Sequence, residues 1–230
     1  MTTTPGPAAD DGPAVVALVP LRTGGKSRLG DTLSEERRAE LVLAMLDDVL
    51  AAIRAADLED IRVLAGDPAA AEAAHARGLQ VLRDPTPGGV VGADERGDGS
   101  LRAAVDAALA EVGDLSARLV VAADLPRLRS SELRDTCMHP ADVTVAPTVG
   151  GGTALLRLAP GVTLRTQYGP GSARAHLAEA DQNGWTSALL DLPGAHHDVD
   201  AAADLAALGA PLGGSPPGVS TAAFLAGLRG

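Results

Sequence analysis

Lysine is almost missing from this chain: of its 19 basic residues, 18 are arginine and one, Lys26, is lysine. A single lysine kept among arginines is either a chance survivor or a position where a compact ammonium serves, and its neighbours in the loop shift the balance to the second. Cysteine is equally scarce. Cys137 stands alone, which excludes an internal disulfide, disfavours a cysteine-based zinc site and leaves a small apolar helix residue as its plain reading. Positive charge is in deficit, with 19 basic against 30 acidic residues and a net charge of −11. That balance opposes binding to nucleic acid or to an acidic membrane surface, so any phosphate bound here must meet a local basic site. No apolar run approaches the roughly 20 residues needed to span a bilayer, and residues 1–13 lack the basic and apolar segments of a signal peptide. A cytoplasmic protein is expected. The lone Trp185 reads as a core or hinge residue.

What is present suits one domain. The 230 residues can bury a sizeable core. Residues 1–13, rich in Thr, Pro, Ala and Asp, read as a disordered tail; 14–210 form the folded unit, and 211–230 a C-terminal tail with a short helix. The apolar run 14–19 predicts a buried strand that ends at Pro20 in a loop containing Gly24 and Gly25. Ser34 reads as a helix N-cap followed by Glu35 and Glu36, and Val42, Met45, Val49 and Ile53 recur at helical spacing. Strands at 61–65, 79–82 and 119–123 alternate with helices at 68–77 and 101–112. Beyond them come a helix from about Ser131, strands at 143–146, 154–158 and 187–190, and helices from Ser172 and over 202–208. Alternation on this scale predicts an α/β sandwich with a mainly parallel sheet, whose ligands bind beyond the carboxyl ends of the strands.

Four segments carry candidate chemistry. Pro20-Leu21-Arg22-Thr23-Gly24-Gly25-Lys26-Ser27-Arg28-Leu29 is a strand-following loop in which glycines let backbone N–H groups approach phosphate oxygens and Lys26 can place a charge on them. Asp124, in Ala122-Ala123-Asp124-Leu125-Pro126, stands where a buried strand should end, so its carboxylate can hold magnesium without entering the core, or simply cap a turn. In Asp198-Val199-Asp200 the period-two spacing puts both carboxylates on one side, where they could share a metal with Asp124; capping by Asp200 of the helix that holds Asp204 can coexist. Gly150-Gly151-Gly152-Thr153 and Tyr168-Gly169-Pro170-Gly171-Ser172 read as turns, the second opening a helix with Ser172 as N-cap and free N–H groups for a phosphate or carboxylate. His176 sits one turn into that helix and could face the same site; packing or surface exposure is its default role, and His196 and His197 are uninformative.

Together these segments resemble the guanylyltransferases of coenzyme F-420 biosynthesis, which activate 2-phospho-L-lactate or phosphoenolpyruvate. The resemblance runs from about Val15 to Leu205 and is carried by Lys26-Ser27-Arg28-Leu29, Val42-Leu43-Ala44-Met45-Leu46, Asp84-Pro85-Thr86-Pro87, Asp124-Leu125-Pro126, Gly152-Thr153-Ala154-Leu155, Tyr168-Gly169-Pro170-Gly171-Ser172 and Asp198-Val199-Asp200. Each is weak alone, and the ordered set is specific. The resemblance implies a Rossmann-like three-layer sandwich of the glycosyltransferase-A-like nucleotidyltransferases. It implies nucleotide contacts at Leu18, Pro20, Lys26, Arg28, Asp84, Pro85 and Leu101, acceptor contacts at Thr153, Gly169 and Ser172, and Mg2+ on Asp124, Asp198 and Asp200. GTP and a small phosphorylated carboxylic acid are the implied partners, with Lys26 and Asp124 catalytic and the product handed to a downstream deazaflavin transferase.

Two other classes compete. Gly25-Lys26-Ser27 suits a P-loop NTPase, yet the first glycine of G-x-x-x-x-G-K-[ST] would fall on Pro20, which has no N–H, and Gly30-Asp31 interrupt the helix that should come next. A noncatalytic nucleotide sensor would have no need of the acidic cluster, which serves to stabilise a transition state.

Overall fold

The computed structural model describes residues 14–24, 26–83, 98–209 and 216–228. Its centre is β1 (Val15–Leu21), apolar at every position because both faces are covered. Ala17, Val19 and Leu21 enter one core and Val16 and Leu18 the other, the period of two that a strand imposes. The strand continues through Pro20 and Leu21, past the end expected from the proline. The Gly66 N–H donates to the Leu21 carbonyl, so Leu21 turns its peptide groups toward β2 (Asp60–Ala65) and Pro20 turns its own the other way. On that side pairing with β4 (Ala117–Val121) already stops at Leu18 with Val120, so the missing N–H of Pro20 costs no ladder bond.

Among the described residues the sheet has seven strands in the order β3 (Gln80–Arg83), β2, β1, β4, β6 (Thr153–Leu158), β5 (Val143–Pro147), β7 (Ser187–Leu189). Every neighbouring pair is parallel except those made by β6, which runs antiparallel to β4 and β5. The alternation pattern carried no orientation for β6. Its cause is the tight connection 148–152, closed by the Thr148 N–H on the Gly152 carbonyl, which is too short for the crossover a parallel pair needs.

Helices α1 (Glu35–Ala55), α2 (Pro68–Ala76), α4 (Ser130–Met138), α6 (Ala202–Leu208) and α7 (Val219–Gly227) cover one face of the sheet; α3 (Asp98–Val112) and α5 (Ser172–Gln182) cover the other. In α1 the predicted stripe Val42, Met45, Val49 and Ile53 is buried, and Ser34 caps it by accepting the Arg37 N–H at 3.3 Å. The short C-terminal helix α7 docks on α1, where the buried Asp48 accepts the Ser220 and Thr221 N–H groups, each at 2.9 Å. Cys137 and Trp185 are partly buried against the two cores, as read. No described helix is long and apolar enough to cross a membrane. The chain goes from β1 out to β3, then returns to place β4 on the other flank of β1, so a crevice opens beyond the carboxyl ends of β1 and β4.

Candidate active site

Both loops at that crevice carry the expected residues. After β1 the chain turns at Lys26, whose backbone is left-handed with φ 62°. A non-glycine residue held there costs about 1–3 kcal/mol and persists only where its surroundings fix it. Here Lys26 Nζ donates to Asp124, beyond β4, and to Asp200 Oδ1 at 2.6 Å. Its side chain is only 12% exposed, against 24% for Asp124 and 48% for Asp200. Burial alone would lower the Lys26 pKa, but the two carboxylates outweigh it and hold the ammonium above its usual value. The one lysine of the chain is a permanent cation clamped between two anions.

Asp67, which the sequence reading passed over, fixes the rest of the loop. As N-cap of α2 its carboxylate accepts the Ala70 N–H at 2.8 Å, and it also accepts the Thr23 N–H at 2.7 Å, the Thr23 hydroxyl at 2.7 Å and the Gly24 N–H at 3.4 Å. Burial works against this charge, and the hydrogen bonds from Thr23, Ala70 and Gly24 prevail and lower its pKa. The loop therefore differs from the expected cradle of amides: Thr23 and Gly24 point theirs at a carboxylate, and Gly25 lies outside the described residues. Lys26 leads into a short 3-10 turn, Ser27–Leu29, and not into the helix of a P-loop.

The acidic segment behaves as its spacing predicts. Val199 is buried in the core while Asp198 and Asp200 are half-buried. The capping role falls to Asp204, not Asp200: its carboxylate reaches back to the N–H groups of Asp200 (3.0 Å) and Ala201 (2.8 Å), which leaves the Asp200 side chain to Lys26. Burial, then the charges of Asp124 and Asp200, push Asp198 up to about 6, with Lys26 offsetting part of the rise. Negative charge thus exceeds what one ammonium balances. The three carboxylates are the hard oxygen donors that magnesium takes. Among the described residues no three acidic, histidine or cysteine groups already converge tightly enough to hold an ion. Magnesium, however, is commonly held by one or two carboxylates with water and substrate phosphate completing its shell, and the pair converging on Lys26 fits that pattern.

A second cluster joins the start of β6 to the start of α5. Thr153 Oγ1 lies 2.9 Å from Ser172 Oγ and 3.0 Å from His176 Nδ1, and His176 Nε2 accepts the Gln167 N–H at 2.8 Å. The N-cap of α5 is Gly171, with φ 75°, and not Ser172, which is the first helical residue and buried. Only glycine takes that backbone readily. The N–H groups of Ser172 and Ala173 donate to the carbonyls of Gly169 and Gly151, so two of the amides expected to be free beside Ser172 are already bonded. The hydroxyls of Thr153 and Ser172 are the polar side-chain groups this turn brings together. His176 is fully buried, with Tyr168 edge-on at a ring separation of 5.4 Å, and burial lowers its pKa to about 4.

The remaining candidates divide. Leu18 is wholly inside the core, Pro20 and Leu101 are half-buried, and Arg28 is exposed. Asp84 and Pro85 lie outside the described residues. His196 pairs with Asp191 at 2.6 Å, and His197 is exposed.

Comparison with known proteins gives a family and a fold. The family model described as "Guanylyl transferase CofC like" matches residues 15–211. A phosphoenolpyruvate guanylyltransferase from Roseiflexus castenholzii is 35% identical over 192 residues, covering 82% of this chain and 85% of the relative. One from Mycobacterium leprae is 37% identical over 206 residues, covering 88% and 89%. Among solved structures, a putative nucleotide-diphospho-sugar transferase from Desulfovibrio desulfuricans superposes with a TM-score of 0.70 at 17% identity, over 94% of this chain and 96% of its own. A nucleotidyl transferase from Methanothermobacter gives 0.54 at 16% identity, over 85% and 95%. These two share the fold. The match over nearly all of the folded chain, together with relatives of this identity, places the protein in the CofC-like guanylyl transferase family.

Proposed function

We propose that this chain transfers GMP from GTP to phosphoenolpyruvate, releasing pyrophosphate and giving enolpyruvoyl-2-diphospho-5'-guanosine. The observation that carries the reading is the clamp of the sole lysine between Asp124 and Asp200 beyond two adjacent strand ends, in a chain whose relatives are named phosphoenolpyruvate guanylyltransferases.

An oxygen of the acceptor phosphate attacks the α-phosphorus of GTP, and the bond from that phosphorus to the β-phosphate oxygen breaks. Two polyanions must meet, so the work of the site is positioning and charge neutralisation. Lys26 supplies compact positive charge at the phosphates. Asp124 and Asp200, with Asp198 beside them, would hold Mg2+, which when bound would supply further charge neutralisation at the phosphates. The hydroxyls of Thr153 and Ser172, with the turn at Gly169, hold the phosphate and carboxylate of the acceptor. No covalent nucleophile is required, and burial pushes the Cys137 thiol up to about 11, far from a reactive thiolate. The product is an activated anhydride, suited to hand-over to the deazaflavin transferase of coenzyme F-420 assembly.

The test is pyrophosphate release with GTP and Mg2+ against phosphoenolpyruvate, 2-phospho-L-lactate and 3-phosphoglycerate. Fastest release with phosphoenolpyruvate is expected, with lower turnover on phospholactate, because one carbon centre separates the two acceptors. Inorganic phosphate from GTP without any acceptor would instead mark an NTPase, and no release at all a nucleotide sensor.

A further inference from the structure

His176 has no part in the phosphoryl chemistry, yet it is fully buried and bonded through both ring nitrogens. Its tautomer is set by one contact. A backbone N–H can only donate, so Nε2, receiving the Gln167 N–H, must be the bare nitrogen, and in a neutral ring Nδ1 then carries the hydrogen. Burial keeps the ring neutral by lowering its pKa to about 4, with the backbone of Ser172 offsetting part of that fall. Nδ1–H therefore donates to Thr153 Oγ1.

That direction decides what the adjoining hydroxyls can do. Thr153 and Ser172 have one hydroxyl hydrogen each, and their mutual contact uses one of them. With His176 donating, one hydroxyl hydrogen is left over to point outward. Were Nδ1 an acceptor, Thr153 would donate to it, Ser172 would donate to Thr153, and the pair would offer an incoming anion only lone pairs. Two of the amides at this helix start are already spent, since Ser172 and Ala173 donate theirs to Gly169 and Gly151, so what His176 directs is the hydroxyl pair.

We propose that His176 is a positioning residue that turns the Thr153 and Ser172 hydroxyl pair into a hydrogen-bond donor toward the anionic oxygens of the acceptor. The proposal rests on the reading that Thr153 and Ser172 hold the acceptor. It acts through a hydrogen bond, so it is separable from simple packing.

Steady-state kinetics with GTP and phosphoenolpyruvate on His176→Phe, His176→Gln, Thr153→Val and Ser172→Ala, with the double variant His176→Phe/Thr153→Val, provide the test. His176→Phe should raise the KM for phosphoenolpyruvate about tenfold, the loss of one hydrogen bond to a charged group, and leave the KM for GTP unchanged. His176→Gln keeps one donor and one acceptor and should recover most of the loss. In the Thr153→Val background His176→Phe should add nothing, because the hydroxyl it acts through is gone. Nitrogen-15 NMR of the unmodified protein should show a neutral ring protonated at Nδ1, a readout independent of whether the phenylalanine variant folds. A proton on Nε2, equal rises in both KM values, or an undiminished effect in the double variant would overturn the proposal. If Thr153→Val and Ser172→Ala leave the phosphoenolpyruvate KM unmoved, the acceptor assignment itself fails and this inference with it. If they raise it and His176→Phe does not, the inference alone fails.

Discussion

Acid should unfold this protein partly through His176. In the folded chain burial holds its pKa at about 4, whereas an exposed histidine titrates at 6.5. Between those values the unfolded chain binds a proton that the folded one does not, so stability rises with pH across that window and is lost as the pH falls through it. A difference of this size corresponds to about 3 kcal/mol, present in full above pH 6.5 and gone near pH 4. His176→Gln removes the titration and leaves every other group in place. Urea unfolding of both proteins at intervals from pH 7.5 to 4 isolates the histidine, because acid effects common to both cancel in the difference. The wild type should be the more stable at neutral pH, and its advantage should shrink toward pH 4 by about 3 kcal/mol, or roughly 1 M in urea midpoint at slopes typical of a chain this size. A gap that stays constant across the range would refute the burial of a neutral ring and, with it, the tautomer argument.

The same contacts set three further outcomes. Asp48→Ala strips the Ser220 and Thr221 N–H groups of their acceptor and should cost about 1–3 kcal/mol, read as a lower urea midpoint and faster proteolysis at the C-terminal end. Asp67→Ala releases the loop that presents Lys26 and should raise the KM for GTP more than that for the acceptor, as separate titrations of the two substrates will show. Lys26→Ala should lower turnover by orders of magnitude and Lys26→Arg should recover little of the loss, because a planar fork cannot occupy the narrow place between Asp124 and Asp200; full turnover in the arginine variant would reduce Lys26 to general positive charge.

The order of elements and the position of the site were legible because they depend on local signals. Apolar runs, the Ser34 cap and the helical stripe of α1 are set by neighbours in sequence, and so is the placing of Lys26 and Asp124 after strands. The alternation of Asp198, Val199 and Asp200 also survives folding, with the valine alone turned into the core. What escaped was decided by contacts distant in the chain. Pro20 stays in β1 only because β4 has already left that flank, and β6 reverses only because its connecting turn closes on itself. Asp67 announces itself as a helix cap, but its grip on Thr23, 44 residues earlier, has no signature in sequence. The capping exchange between Asp200 and Asp204, and the displacement of Ser172 by Gly171 at the start of α5, are choices between near neighbours that local chemistry leaves balanced. His176 read as packing because nothing in the chain before it points to Gln167 and Thr153 as its partners.

The central claim is that Lys26, Asp124 and Asp200 converge to transfer a nucleotide, and the most direct measurement is formation of the guanylylated acceptor by the wild type and by Asp124→Ala. Both proteins are incubated with GTP, phosphoenolpyruvate and Mg2+, and the product and pyrophosphate are quantified by mass spectrometry and phosphorus NMR, with circular dichroism as the control for folding. Asp124 is an end-of-strand residue outside both cores, so the variant should keep the fold. The account predicts equal amounts of product and pyrophosphate from the wild type and neither from a folded Asp124→Ala; product formation at the wild-type rate by that variant would contradict it.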